Sequence, residues 1–208
     1  MIAVADYGAG NLHSIGMGLR RQGLEVRVTD DPRVLDEAGA LVVPGDGAFG
    51  PAMARLRESG FAERIAAYVR SGRPFLGVCL GMQLLFDESV EGGSHRGLGV
   101  LPGRVVRLPE TVKIPHMGWN QLRVEQASPL LEGVPSGAYV YFVHSYYCAP
   151  SDPALVAATA SYGADIAAVA GRGNVWATQF HPEKSGVVGE RILNNFARWA
   201  VGVGAAGG

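Results

Sequence analysis

Phe75-Leu76-Gly77-Val78-Cys79-Leu80-Gly81-Met82-Gln83 joins an apolar run to a mixed apolar and polar segment through a Gly-Val-Cys-Leu-Gly core. Unbroken apolar character before Cys79 suits a strand covered on both faces, and the residues after it favour helix. The stretch therefore reads as strand, sharp turn and helix, with a cysteine at the apex. That is the form of a nucleophile elbow, with Cys where hydrolases carry Ser. Flanking glycines let the backbone turn tightly and keep bulk away from the sulfur. A thiol at a helix start feels the positive end of the dipole, which favours the thiolate. A buried strand cysteine is the plainer reading of any single Cys. The paired glycines and the abrupt change of period favour a nucleophile, provided that a histidine base stands elsewhere.

Upstream of the elbow the same grammar repeats. Ile2 to Ala5 is a buried strand, Asp6 to Gly10 a glycine-rich turn, and Asn11 the N-cap of a helix to about Gln22. Gly8-x-Gly10 opens like a dinucleotide fingerprint, but His13 stands where the third glycine belongs, so an ordinary turn is expected. Leu24–Val28 and Ala40–Val43 are the next strands. The latter runs into Pro44-Gly45-Asp46-Gly47-Ala48-Phe49-Gly50, whose glycines gather backbone N–H groups at the carboxyl end of a strand. Open α/β sheets bind ligands there, and such a loop can serve as an anion nest or oxyanion hole. Helices follow at Pro51–Glu58 and Phe61–Arg70, then the strand Pro74–Val78 and the elbow helix Leu80–Phe86. This order predicts an α/β fold with a mostly parallel central sheet flanked by helices.

Beyond Asp87 the texture changes. Glu91 to Gly97 reads as loop, Arg104–Leu108 and Leu122–Glu125 as short strands, and Ile114 to Asn120 as the segment separating them. Tyr139 to Tyr147 is one aromatic strand, followed by strands at Ala154–Ala160 and Ile166–Ala170. A turn at Arg172-Gly173-Asn174 leads into Val175–Phe180, so the C-terminal half is expected to be antiparallel. A last helix spans Gly186 to about Val201, with a disordered tail at 204–208. Neither repeat nor linker interrupts the chain, which predicts a single domain over 1–203.

The totals narrow the function. The chain has 208 residues, 48% hydrophobic and 18% charged, with a net charge of −1. That supports a sizeable core and disfavours nucleic acid or anionic membrane as partners. No apolar run approaches the roughly 18 residues of a spanning helix, and Met1 to Asp6 lacks the basic start of a signal peptide. With only Cys79 and Cys148, a reducing, cytoplasmic setting is expected. No histidine pair has zinc-type spacing and no C-x-x-C occurs, so neither a metal nor another cofactor is expected.

Of the five histidines, His181 stands apart in Gln179-Phe180-His181-Pro182-Glu183. Pro182 ends the preceding strand, and Glu183 lies two residues on, within reach of the same ring. A carboxylate on one ring nitrogen fixes the tautomer and leaves the other to take the thiol proton. His116 and His144 are rival bases, although His-Met-Gly-Trp-Asn and Val-His-Ser-Tyr look more like binding surfaces or satisfied core groups.

Gly77-Val78-Cys79-Leu80-Gly81-Met82-Gln83 together with His181-Pro182-Glu183 resembles the class I (triad) glutamine amidotransferase pattern. Val4 to Asn11, Pro115 to Asn120 and Phe142 to Tyr147 are similar, within that class, to the glutaminase subunits of imidazole glycerol phosphate synthases. The resemblance implies the class I amidotransferase-like (flavodoxin-like) fold and hydrolysis of glutamine to glutamate and ammonia. It implies Cys79 as nucleophile, His181 as base, Glu183 as its orienter, and an oxyanion hole from the Leu80 and Gly47 amides. Gln83, Ser145 and Tyr146 would hold the amino-acid end of glutamine, and Glu91 its ammonium. It further implies a (β/α)₈-barrel cyclase subunit that receives the ammonia through a tunnel, in histidine biosynthesis. The glutaminase is then expected to idle until that partner binds its own ligand. Trp119, with Met117 and Asn120, would face the partner, core packing being the plainer role for the tryptophan. The chain departs from the family at Asp46, where an apolar residue is common. Its carboxylate is expected to face outward, so that only its backbone matters. Two other readings compete: the glutaminase subunit of an anthranilate or aminodeoxychorismate enzyme, and a catalytically silent α/β module.

Overall fold

The computed structural model describes residues 1–206, with side chains described through Gly202. Strands β1 (Ile2–Ala5), β2 (Val26–Thr29), β3 (Ala40–Val43) and β4 (Phe75–Val78) run parallel in the order β2-β1-β3-β4. Helices α1 (Leu12–Arg20), α2 (Phe49–Glu58), α3 (Phe61–Arg70) and α4 (Leu80–Gln83) intervene. Every residue of β1, β3 and β4 is buried, as their uniform apolar sequences require when helices cover both faces.

Strand alternation divides the core in two. Ala3, Leu41 and Phe75 face a cluster built with Phe49, Met53 and Leu56 of α2 and Phe61, Ile65 and Tyr68 of α3. Ile2, Val42 and Leu76 face the opposite cluster, with Ile15 and Leu19 of α1 and Ile192, Leu193 and Phe196 of α5 (Gly186–Ala206). Each of these large side chains contributes ~2 kcal/mol on burial, so Phe196→Ala would cost about 3–5 kcal/mol. Of the tail expected at 204–208, residues 204–206 continue the α5 backbone and residues 207–208 lie outside the described residues.

The second half supplies β5 (Phe86–Ser89), β6 (His95–Arg96), β7 (Leu101–Arg107), β8 (His116–Gln121), β9 (Arg123–Val124), β10 (Tyr139–His144), β11 (Tyr146–Pro150), β12 (Val156–Ser161), β13 (Asp165–Arg172) and β14 (Val175–Thr178). β14 joins β4 in parallel, and β13, β12 and β9 continue the sheet antiparallel to eight strands. β11, β7, β5 and β6 form a second sheet, and β8 pairs with β10 alone.

Several local expectations give way to tertiary pairing. The elbow helix ends at Gln83 instead of Phe86, because Leu84, Leu85 and Phe86 are wholly buried and Phe86 enters β5 opposite Leu101. Residues 116–120, expected as a separator, lie in β8, paired residue by residue with β10. The expected aromatic strand 139–147 breaks at Ser145, where the chain leaves β8 for β7. The strand expected from Ala154 starts at Val156, after a 3₁₀ turn at Pro153–Leu155 capped by the Asp152 carboxylate. No helix among the described residues is long and apolar enough to cross a membrane.

Candidate active site

Cys79 has φ 55° and ψ −111°, and is the one non-glycine residue with positive φ among the described residues. Such a conformation costs about 1–3 kcal/mol and persists only where its surroundings enforce it. The Cys79 amide donates to Thr178 O at 2.7 Å, continuing the β4–β14 pairing, while its carbonyl accepts from the Met82 and Gln83 amides. The elbow crosses β3 so closely that a side chain at Gly81 would overlap the Val43 carbonyl. A Cβ at Gly77 would lie 2.8 Å from Gly81 O. α4 is a single turn, so its dipole is a small influence on the sulfur and neighbouring side chains matter more.

His181 reaches this sulfur from beyond β14. Its amide donates to Tyr141 O at 3.0 Å, and its carbonyl accepts from the Ser185 hydroxyl at 2.6 Å. Nδ1 lies 2.8 Å from Glu183 Oε1, both side chains being nearly inaccessible. That leaves Nε2 for Cys79. Burial alone would lower the His181 pKa; hydrogen bonds and charge from Cys79 and Glu183 outweigh it and raise it to about 10. At neutral pH the His181 ring is therefore held in its protonated form beside the sulfur.

A cleft of about 280 Å³ opens over Cys79, and Gly47, Leu80, Gln83, Glu91, Ser145, Tyr146 and His181 all line it. Glu183 stands behind His181, outside that lining. Gly47 has φ 82°, and Gly45 packs where a Cβ would collide with the Tyr7 hydroxyl, itself donating to Pro44 O at 2.8 Å. Asp46 is exposed, as expected, but its carboxylate is engaged: Oδ1 accepts from the Gly10 amide at 3.0 Å. Glu91 lends Oε2 to the Phe49 amide at 2.8 Å, capping α2, while lining the cleft. Gln83 donates from Nε2 to Tyr146 O at 2.9 Å and to Gln179 Oε1 at 3.1 Å.

Sequence reasoning gave no role to one buried polar group and left another open between a binding surface and the core. One is Gln179, wholly buried, whose Nε2 lies 3.8 Å from Cys79 Sγ. The other is the His116–His144 pair, with Nδ1 and Nε2 at 2.9 Å. His144 Nδ1 must donate to Tyr146 O at 3.0 Å, so its Nε2 accepts from His116 Nδ1 and both rings are neutral. Burial lowers each pKa to about 4. Both rings are satisfied core groups, paired with each other, with Tyr146 O and with Asn120. For Gln179, a polar residue inside the apolar strand expected at Val175–Phe180 was the available signal.

Period-two alternation gives the β8–β10 ribbon two faces. His116, Phe142 and His144 face inward, whereas Met117, 64% exposed, and Trp119, 56% exposed, face out. Trp119 stands edge-on to Tyr141, its cross-strand neighbour, so core packing is excluded for it. Asn120 behaves differently. Its Nδ2 donates to Ser161 O at 3.0 Å and lies 3.4 Å from His116 Nε2, and its Oδ1 accepts from the Gln121 amide. Its polar atoms are therefore engaged within the chain.

The Glutamine amidotransferase class-I family profile matches residues 3–199. The chain is 55% identical to the imidazole glycerol phosphate synthase subunit HisH of Syntrophotalea carbinolica, over 94% of this chain and 98% of that protein. It is 52% identical to the subunit of the same name in Geobacillus kaustophilus, over 98% and 99% of the two chains. A solved glutamine amidotransferase superposes with a TM-score of 0.77 at 24% identity, covering 97% of this chain and all of that one, a likeness of fold.

Proposed function

The chain belongs to the class I glutamine amidotransferase family, and from that premise we propose that it hydrolyses glutamine and supplies the ammonia to a cyclase subunit of an imidazole glycerol phosphate synthase, in histidine biosynthesis. The anthranilate and aminodeoxychorismate reading loses ground to near full-length similarity with HisH subunits. A silent module would have no use for a strained, buried Cys79 facing a histidine–glutamate pair. That pairing is the observation carrying the catalytic reading.

In this reading the Cys79 thiolate attacks the amide carbon of glutamine, and the carbonyl electrons move onto oxygen. Backbone N–H groups of Leu80 and the Gly47 loop would receive that oxyanion. His181, already protonated, gives its proton to the departing nitrogen, and the C–N bond breaks to leave a γ-glutamyl thioester and ammonia. His181 then takes a proton from water as the hydroxide adds to the thioester. The C–S bond breaks, and glutamate leaves. Glu183 holds the ring through Nδ1 and stabilises its charged form. Gln83, Ser145, Tyr146 and Glu91 would seat the amino-acid end of the substrate.

The partner is proposed to cover the outer face of the β8–β10 ribbon. Val143 belongs to both that ribbon and the cleft, so a protein seated there would adjoin the place where ammonia is released. Large aromatic and methionine side chains on an uncovered strand face are what interface anchors consist of.

The test mixes the chain with a (β/α)₈-barrel cyclase subunit and glutamine, and measures glutamate with and without the cyclase's nucleotide ligand. Ligand-stimulated release that disappears in Cys79→Ser supports the proposal. Release indifferent to the cyclase would point to another amidotransferase, and no release under any condition to a silent module.

A further inference from the structure

The sense of the hydrogen bonds around Cys79 leads to a residue outside the triad. Tyr146 O only accepts, so the Gln83 atom 2.9 Å away is its amide nitrogen. The second hydrogen on that nitrogen points at Gln179, 3.1 Å away, where only Oε1 can accept. The amide of Gln179 is thereby oriented, and its Nε2 faces Cys79 Sγ at 3.8 Å. Nε2 only donates, so the sulfur must accept. A thiol could still direct its own proton to Val143 O, 3.9 Å off. A thiolate has no proton to place and gains most from the Gln179 N–H. The Gln179 side chain is wholly buried, and its backbone amide is held by Ala168 O at 2.9 Å, so solvent does not compete for this N–H.

We propose that Gln179 is a catalytic residue, the Nε2–H donor that holds the Cys79 sulfur as an acceptor and stabilises it as thiolate. Gln179 makes and breaks no covalent bond. It favours the attacking form of Cys79 and the same form when the thioester releases it as leaving group. His181 approaches the sulfur as the proton carrier, whereas Gln179 supplies a neutral donor that never gives up its proton. Gln83, which sequence reasoning assigned to substrate, also sets the direction of this amide. The proposal rests on the glutaminase reading of the same site for its kinetic consequence, but its chemical consequence can be read without glutamine.

Alkylation of Cys79 by iodoacetamide at pH 7, followed on the Cys79 peptide by mass spectrometry, reports thiolate reactivity in the chain alone. Gln179→Met keeps the volume and removes the donor, and Gln179→Glu keeps the shape and places an oxygen against the sulfur. The expected result is an alkylation rate about tenfold lower in Gln179→Met, the scale of one hydrogen bond to a charged group, with a smaller loss in Gln179→Glu, whose buried carboxyl keeps an O–H toward the sulfur. With the cyclase subunit and its ligand present, kcat for glutamate release should fall at least as far, with KM within about threefold. If folded Gln179→Met alkylates at the wild-type rate, the proposal is wrong, whatever Gln179→Glu does. A rise in KM alone, with alkylation unchanged, would reduce Gln179 to a support for Gln83 and also overturn it. Absence of Cys79-dependent glutamate release by the wild-type chain with the cyclase subunit and its ligand present would instead remove the glutaminase reading, leaving the alkylation result to stand by itself.

Discussion

The carboxylate of Asp46 accepts a hydrogen bond from the Gly10 amide at 3.0 Å, tying together two βα loops 36 residues apart in sequence. The tie sits at the rim of the cleft and one residue before Gly47, whose amide is the proposed oxyanion donor. Asp46→Asn keeps an acceptor at Oδ1 and should leave glutamate release near the wild-type rate. Asp46→Val removes it and should lower kcat roughly tenfold, the scale of a lost hydrogen bond to a charged group. Steady-state kinetics on the complex decides; a strong rise in turnover of the isolated Asp46→Val chain would mean that the acid opposes the oxyanion.

Glu183 holds His181 through one short contact in a nearly inaccessible place. Glu183→Gln keeps the shape but removes the charge that favours the imidazolium. A fall in kcat on the order of 10²–10⁴-fold, with little change in KM, is expected. A variant within tenfold of wild type would show that the orienting charge is dispensable.

The buried histidines set opposite limits on stability against pH. His116 and His144 have pKa values lowered to about 4 by burial, so below the unfolded value near 6.5 the unfolded chain binds more protons. Stability is intact above about 6.5 and falls as pH drops towards 4. His181, raised to about 10, contributes stability that is present below 6.5 and is lost as pH rises through 10. Urea midpoints measured across pH 4–7 should decline on the acid side, and the decline should be shallower in His116→Leu. An equal slope in that variant would assign the acid sensitivity to other groups.

Trp119 and Asn120 are adjacent, yet their substitutions should act on different quantities. Trp119→Ala removes a half-exposed ring and should weaken cyclase binding about tenfold to a hundredfold, with little change in melting temperature. Asn120→Ala releases bonds to Ser161 O and His116 and should lower the melting temperature, with binding largely retained. Calorimetry on both variants separates the two effects; the reverse pattern would relocate the interface.

Much of this protein is legible in one dimension. Uniform apolar runs at Ile2–Ala5, Ala40–Val43 and Phe75–Val78 could only be strands covered on both faces, and the helical spacing between them imposes a parallel sheet. Gly77 and Gly81 around Cys79, and Pro182 between His181 and Glu183, are local constraints on backbone shape, so triad candidates could be named before their distances were known. The ribbon residues 116–121 were not legible as a strand, because their pairing partner lies at 139–144 and no local preference encodes it. Nor was the break at Ser145, which occurs where one strand exchanges β8 for β7 as its neighbour.

The sequence by itself determined the fold class and the elbow and supplied the triad candidates, since periodicity and the fixed geometry of nearby Gly and Pro are local properties. Only the tertiary structure decided the direction of the polar contacts. Gln179 points at Cys79 because Gln83 and Tyr146, from distant segments, leave its amide one orientation. Asp46 holds Gly10, and Asn120 turns inward, because buried or bridging polar groups take whichever partner folding brings within about 3 Å. Hydrogen-bond sense is a property of groups that meet in space, and those groups are far apart along the chain.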